Sequence, residues 1–173
     1  MKLLKKILIG LATFTVLISI LLFIGKKVHV DREIQIDSSI AVIKEQMIDF
    51  NKFRVWFPWA DKDVNCKYEF SDKQGAVGAS FSYSGNKEIG SGTMIIEKIT
   101  SNKVIYKTII TEPMNAESEE SFDLVDLENG KTKVVWNFDG EIPLLFVLLG
   151  GMDGVLGPEY EKGLKQLKSI INH

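Results

Sequence analysis

One cysteine and two histidines are all that 173 residues carry of the side chains most used as metal ligands and nucleophiles. The single thiol, Cys66, forms no intramolecular disulfide and no cysteine-rich zinc site, so it reads as a small core residue and says nothing of redox compartment. The histidines are badly placed for acid–base work: His29 lies on the strand face opposite Val28 and Val30, and His173 is the terminus. Asp61-x-Asp63-x-Asn65 opens like a calcium loop, but Cys66 stands where the loop needs glycine and Asp72 where it needs glutamate. No metal and no cofactor is expected. Gly85 to Gly92 has the glycine spacing of a phosphate loop without the lysine before Ser91, and it joins two strands, which makes it a hairpin. Positive charge is also scarce. Removing residues 1–25 takes away three lysines and no acids, leaving 18 basic against 23 acidic residues and a net charge of −5, which argues against nucleic acid as a partner. No repeat or low-complexity run is present, so one globular domain is expected behind the N-terminal segment.

That segment is where apolar surface is abundant. Ile7 to Ile24 is a run of eighteen residues without a charge, enough at helical rise to cross most of a hydrocarbon core about 30 Å thick. Residues 1–27 are therefore expected to be a retained single-pass membrane anchor, and residues 28–173 the domain it carries. The alternative is a cleaved signal peptide that releases a secreted domain. Such peptides have a shorter apolar core, about 7–15 residues, and a small-residue cleavage site that Phe23-Ile24-Gly25-Lys26-Lys27 lacks. A lipid anchor is excluded because it needs a cysteine directly after the run and the only one is Cys66. Lys2, Lys5 and Lys6 precede the span and Lys26 and Lys27 follow it, which favours a cytoplasmic N-terminus with the domain on the outer side.

Val28, Val30, Ile34 and Ile36 alternate with polar residues and predict a half-buried strand whose inner face is interrupted only by Arg32. Ser38 or Ser39 then caps a helix with Ile40, Ile43, Met47 and Phe50 on one stripe. Phe53 to Trp59 is a short helix or turn closed by Pro58. Six strands follow. Their inner faces are Cys66, Tyr68 and Phe70; Ala79, Phe81 and Tyr83; Met94 and Ile96; part of Val104–Thr111; Ser118, Glu120, Phe122 and Leu124; and, after the Asn129-Gly130 hairpin signal, Thr132, Val134, Trp136 and Phe138. Glu112-Pro113-Met114-Asn115 connects the fourth and fifth of these. Pro143 to Leu149 reads as an apolar helix too short to cross a bilayer. The chain closes on a long amphipathic helix with Gly157 as N-cap, Pro158 in the first helical position, and Leu156, Tyr160, Leu164, Leu167 and Ile171 on one stripe. One kinked helix with its break at Gly157-Pro158 is the alternative. Separately clustered strands and helices predict an α+β domain with an antiparallel sheet covered on one face.

Five features in a fixed order carry a family resemblance. They are Ile36-Asp37-Ser38-Ser39 entering the first helix; Asp49-Phe50 leading into Trp56-x-Pro58-Trp59; Ser84-Gly85-Asn86 followed by Gly90-Ser91-Gly92; Thr132-Lys133-Val134-Val135-Trp136; and Gly157-Pro158-Glu159-Tyr160 running on to Lys168. Over Val28 to Ile171 the chain resembles the START-like or SRPBCC superfamily, in its polyketide cyclase/dehydrase-like branch. The resemblance implies a helix-grip fold, a curved seven-stranded antiparallel sheet (β-α-α-β6-α) around the C-terminal helix with an elongated apolar cavity between them. It also implies a small hydrophobic ligand, since members bind lipids, sterols, polyketides or hormones and only some do chemistry. Ile40 departs from the pattern, which commonly has proline there, and Lys44 stands where an aromatic is common.

A strongly curved sheet cannot fill its concave face with one helical stripe, so an apolar cavity of a few hundred cubic ångströms is expected. The expected lining is Trp56, Trp59, Tyr68, Phe81, Tyr83, Met94, Phe122, Trp136, Tyr160, Gly163, Leu164 and Leu167. Gly163 disfavours its helix by about 1 kcal/mol relative to alanine, which marks a close approach of backbone or ligand. Among the acids, Glu120 shares a face with Phe122 and Leu124, where desolvation would raise its pKa. The blander expectation, preferred on sequence alone, is that the register breaks at Glu119-Glu120 and both face water, or that Glu120 pairs with Arg32. The leading reading is a membrane-anchored, non-catalytic module for a lipid- or polyketide-like molecule. Its rivals are a cyclase- or dehydratase-type enzyme using Glu120 with Tyr83, and an accessory or stress-related protein with a vestigial cavity.

Overall fold

The computed structural model describes residues 2–113, 115–148 and 150–172, apart from the side chains of Leu22 and Phe23. The expectations that touch Met1, Met114, Leu149 and His173 lie outside the described residues. An apolar helix, α1 (Lys2–Phe23), comes first, and Ile24 alone separates it from β1 (Gly25–Ile36). The strand begins three residues before the alternation of Val28 to Ile36 indicates. Gly25, Lys26 and Lys27 are exposed and show no hydrophobic period, yet they pair with Pro143, Ile142 and Glu141.

Two short helices, α2 (Ile40–Ile48) and α3 (Phe50–Trp56), fill the return from β1. Asp49 caps α3 by accepting the Asn51 N–H, whereas Ser39 begins α2 without a side-chain cap. Lys44 donates to the carbonyls of Thr100 and Ser101 at 3.0 Å each and ties α2 to a turn of the sheet. Then come β2 (Lys67–Phe70), β3 (Ser80–Ser84), β4 (Ser91–Ile99), β5 (Lys103–Glu112), β6 (Ala116–Asp126) and β7 (Thr132–Pro143). They form one antiparallel sheet in the order β1-β7-β6-β5-β4-β3-β2. A register shift between Ile96 and Lys98 marks a bulge in β4, which bends the sheet.

The chain ends in α4 (Leu144–Leu148) and α5 (Asp153–Ile171). The C-terminal helix begins at Asp153, so Gly157 is a buried interior residue rather than the N-cap, and Pro158 lies inside the helix rather than at its first position. Two contacts hold the additional turn: Asp153 pairs with Arg32 at 2.8 Å, and Leu156 packs on the core. Tyr160, Leu164 and Leu167 face the sheet and are buried. At about 1.5–3 kcal/mol for each fully buried side chain, this stripe outweighs the missing proline N–H.

Candidate functional site

The concave face divides into a filled half and an open half. Phe53 and Trp56 on α3 reach into the filled half. Trp56 meets Phe122 and Trp136 edge to face at 5.7 Å each. Trp136 in turn stacks on Tyr160 with centroids 4.0 Å apart and planes 7° from parallel. Gly163 lies directly over this stack: a Cβ there would stand 2.9 Å from Trp136 and 3.2 Å from Pro58. The close approach that the glycine permits is therefore helix against core, with no ligand between.

The open half is a cavity of about 190 Å³ under the first turns of α5. Its wall includes Trp59, Tyr83, Met94 and Glu120 from the expected residues, together with Phe57, Ile89, Thr108, Ile110, Glu112, Pro113, Ser118, Phe138, Met152 and Leu156. Trp56, Tyr68, Phe81, Phe122, Trp136, Tyr160, Gly163, Leu164 and Leu167 stand outside that wall. Phe81, Phe122 and Trp136 pack on Phe53 of α3, Phe122 and Trp136 also meet Trp56, and Tyr160 stacks on Trp136, so side chains take up the space assigned to a ligand. Tyr68 stacks on Phe81 at 5.7 Å beneath the Arg54 guanidinium, and burial pushes its hydroxyl up to about 12. Alternation in the sequence puts Ser118 and Phe138 on the inner face. Leu156 lies on the apolar stripe that its spacing predicts, whereas Met152 carries no such signal, because it precedes a helix that the structure starts at Asp153 and the spacing starts at Gly157.

Glu120 faces inward. Its neighbours across the ladder are Tyr106 on β5 and Phe138 on β7, and no register break occurs at Glu119-Glu120. Solvent reaches only 8% of the residue. The expectation of a water-facing pair is thus overturned, because the hairpin pairing of β5, β6 and β7 runs unbroken through this point. Arg32 is not its partner either. The guanidinium binds Asp153 and Glu161 on α5 and occupies the space where a Gly157 side chain would lie.

Glu120 instead accepts three hydrogen bonds. Thr108 Oγ1 donates to Oε1 at 3.0 Å; Trp136 Nε1 and the Tyr160 hydroxyl donate to Oε2 at 2.9 and 3.0 Å. Burial raises the carboxyl above its ordinary range, and the three donors pull the other way without cancelling it. Burial, and then the neighbouring Glu120 charge, raise the Tyr83 and Tyr160 hydroxyls. His29 points outward to Asp139 at 2.8 Å. Asp61 pairs with Lys162, and Asp63 accepts the backbone N–H groups of Asn65 and Asn86. Among the described residues no group of three or more histidines, cysteines or carboxylates is arranged to hold a metal ion.

No protein-family model matches the chain, and no curated protein is significantly similar to it. Solved structures do match. Protein CV1439 from Chromobacterium violaceum aligns over 84% of this chain and 97% of its own with a TM-score of 0.58 at 10% identity. The ginseng major latex-like protein 151 from Panax ginseng aligns over 84% and 97% with 0.59 at 13%. Hypothetical protein jhp0584 from Helicobacter pylori aligns over 83% and 88% with 0.63 at 8%. The fold is a helix-grip fold. At these identities the likeness is one of architecture, and function has to come from the site itself.

Proposed function

We propose that the chain is a membrane-anchored binding module for a small, largely apolar molecule that carries one hydrogen-bond donor. The observation that supports this reading is Glu120 in the wall of an otherwise apolar cavity, with no cation paired to it among the described residues. An ionised carboxylate offers about four lone-pair positions. Three are taken, so a ligand hydroxyl or amine completes the set, whereas a ligand carboxylate is repelled. Size narrows the class further. The cavity of about 190 Å³ is slightly larger than the roughly 150 Å³ that admits benzene and smaller than the roughly 300–1,000 Å³ of drug-sized sites. It suits a single ring or a short chain and is too small for a whole sterol.

The anchoring part of the reading rests on α1. Its 22 residues extend about 33 Å at helical rise, and lysines stand at both ends of the run. The charge balance favours the N-terminus inside and the domain outside. The motif resemblance to the START-like superfamily, in its polyketide cyclase/dehydrase-like branch, agrees with an apolar ligand. A second reading, an enzyme of cyclase or dehydratase type, is favoured by one observation: a carboxyl of raised pKa and Tyr83 line the same cavity, as a general base and its partner would.

Native mass spectrometry of the full chain, extracted in mild detergent, separates these readings. A small-molecule adduct that organic solvent strips off is expected. Glu120→Gln can satisfy Trp136 and Tyr160 with its carbonyl while turning its NH₂ toward the cavity, so the adduct is expected to be lost with the fold intact. An adduct retained while turnover of a cyclisable substrate disappears would favour the enzyme. No adduct in any extract would leave the cavity vestigial.

A further inference from the structure

Three features meet at one end of the domain. The first is the junction of α1 and β1, where Ile24 is the only intervening residue and no linker lets the domain drift from the span. The second is α4. The Leu144 N–H donates to the Ile24 carbonyl at 2.8 Å, and α4 packs against α1. Phe146 and Leu148 on α4 are 47% and 65% exposed, and Val155 in the first turn of α5 is 62% exposed. The third is the mouth of the cavity. Ser118 lies opposite Gly140, and Gly140 opposite Val28, so the β5–β6 connection at Glu112-Pro113 sits level with the α1–β1 junction. Met152 and Leu156 line the same cavity.

We infer that α4 and the first turn of α5 form an interfacial membrane contact, lying in the leaflet from which α1 emerges. This rests on the anchoring proposed above and adds a second attachment to it. Exposed apolar side chains rimmed by polar ones mark either a protein or a membrane contact. The bilayer is the occupant that the fold supplies, because the patch is continuous with the span and hydrogen-bonded to its exit. Helix α4 is far too short to cross a membrane, and the glycines that follow it return the chain to α5. Lys26 and Lys27, exposed just after the span, stand at the level of the lipid headgroups. The arrangement puts the cavity mouth at the headgroup layer, so an apolar ligand reaches Glu120 from the bilayer without crossing bulk water.

Spin labels on the full chain in nanodiscs of phosphatidylcholine and phosphatidylglycerol test this. In a Cys66→Ser background, single labels are introduced through Leu148→Cys, Val125→Cys at the far end of the sheet, and Phe14→Cys within α1. Collisions with oxygen, which concentrates in lipid, are compared with collisions with a water-soluble nickel chelate. The expected result is an oxygen-to-nickel ratio at position 148 several-fold above that at 125 and close to that at 14. A ratio at 148 equal to that at 125, with 14 still in lipid, overturns the contact and leaves the anchor standing. A water-accessible position 14 overturns the anchor and the contact together. Protection at 148 that vanishes when each disc holds one chain would make a second copy the occupant, and that too overturns the inference.

Discussion

Glu120 is a carboxyl whose burial outweighs its hydrogen bonds, and the pH dependence of folding should show it. Its folded pKa is raised, so between the ordinary unfolded value of about 4.3 and that raised value the native state holds more protons than the unfolded chain. Stability from this group therefore falls as pH rises through that window and is level above it. Asp37, Asp61 and Asp153 have the opposite sign: hydrogen bonds from Lys131, Lys162 and Arg32 lower them, and what they contribute is lost only as pH falls below about 4. Glu120→Gln removes the first effect and leaves the second. The variant is expected to melt above the wild type at pH 7, with the gap closing as pH drops toward the ordinary unfolded value of about 4.3. A gap that stays constant in thermal melts over that range would show that Glu120 titrates normally. Alternation in the sequence already put Glu120 on the inner face. Its partners were not legible, since Thr108, Trp136 and Tyr160 come from three other elements.

At the scale of elements, α5 is held by what two of its residues lack. Gly157 makes room for the Arg32 guanidinium and Gly163 for the face of Trp136. Gly163→Ala brings about 1 kcal/mol of helix propensity but forces a Cβ against a ring that cannot retreat, because Trp136 is stacked on Tyr160 and bonded to Glu120. Overpacking of this kind costs about 1–3 kcal/mol. A net loss of about 1 kcal/mol is expected, a fall in Tm of about 2–4 °C for a chain of this size. Ligand loading should not change, because Gly163 is outside the cavity wall. A lower loading at unchanged Tm would restore the glycine to the binding site. That Gly163 marks a close approach could be read from helix propensity; that the approaching group is an indole could not.

For the molecule as a whole, the longest pairing joins the two ends of the domain. Strand β1 pairs with β7 from Gly25↔Pro143 to Ile36↔Thr132. A chain that starts at Gly25 keeps the whole ladder, and one that starts at Val28, where the alternation begins, loses its first three pairs. Both are expected to fold, the shorter less stable by about 1 kcal/mol given the net worth of ladder hydrogen bonds, as urea titration of the two would measure. Equal midpoints would mean that the first three pairs contribute nothing. The seven strands, the helices and the antiparallel α+β class were determined by the sequence itself, because period-two and period-3.6 apolar patterns are local and each turn signal lies within a few residues of the next. Where the open space sits was decided only by the tertiary structure. Aromatic side chains from α3 fill one half of the concave face, and the early start of α5 roofs the other. Which residues pack and which line a void depends on how the volumes of distant elements sum, and no local pattern carries that sum.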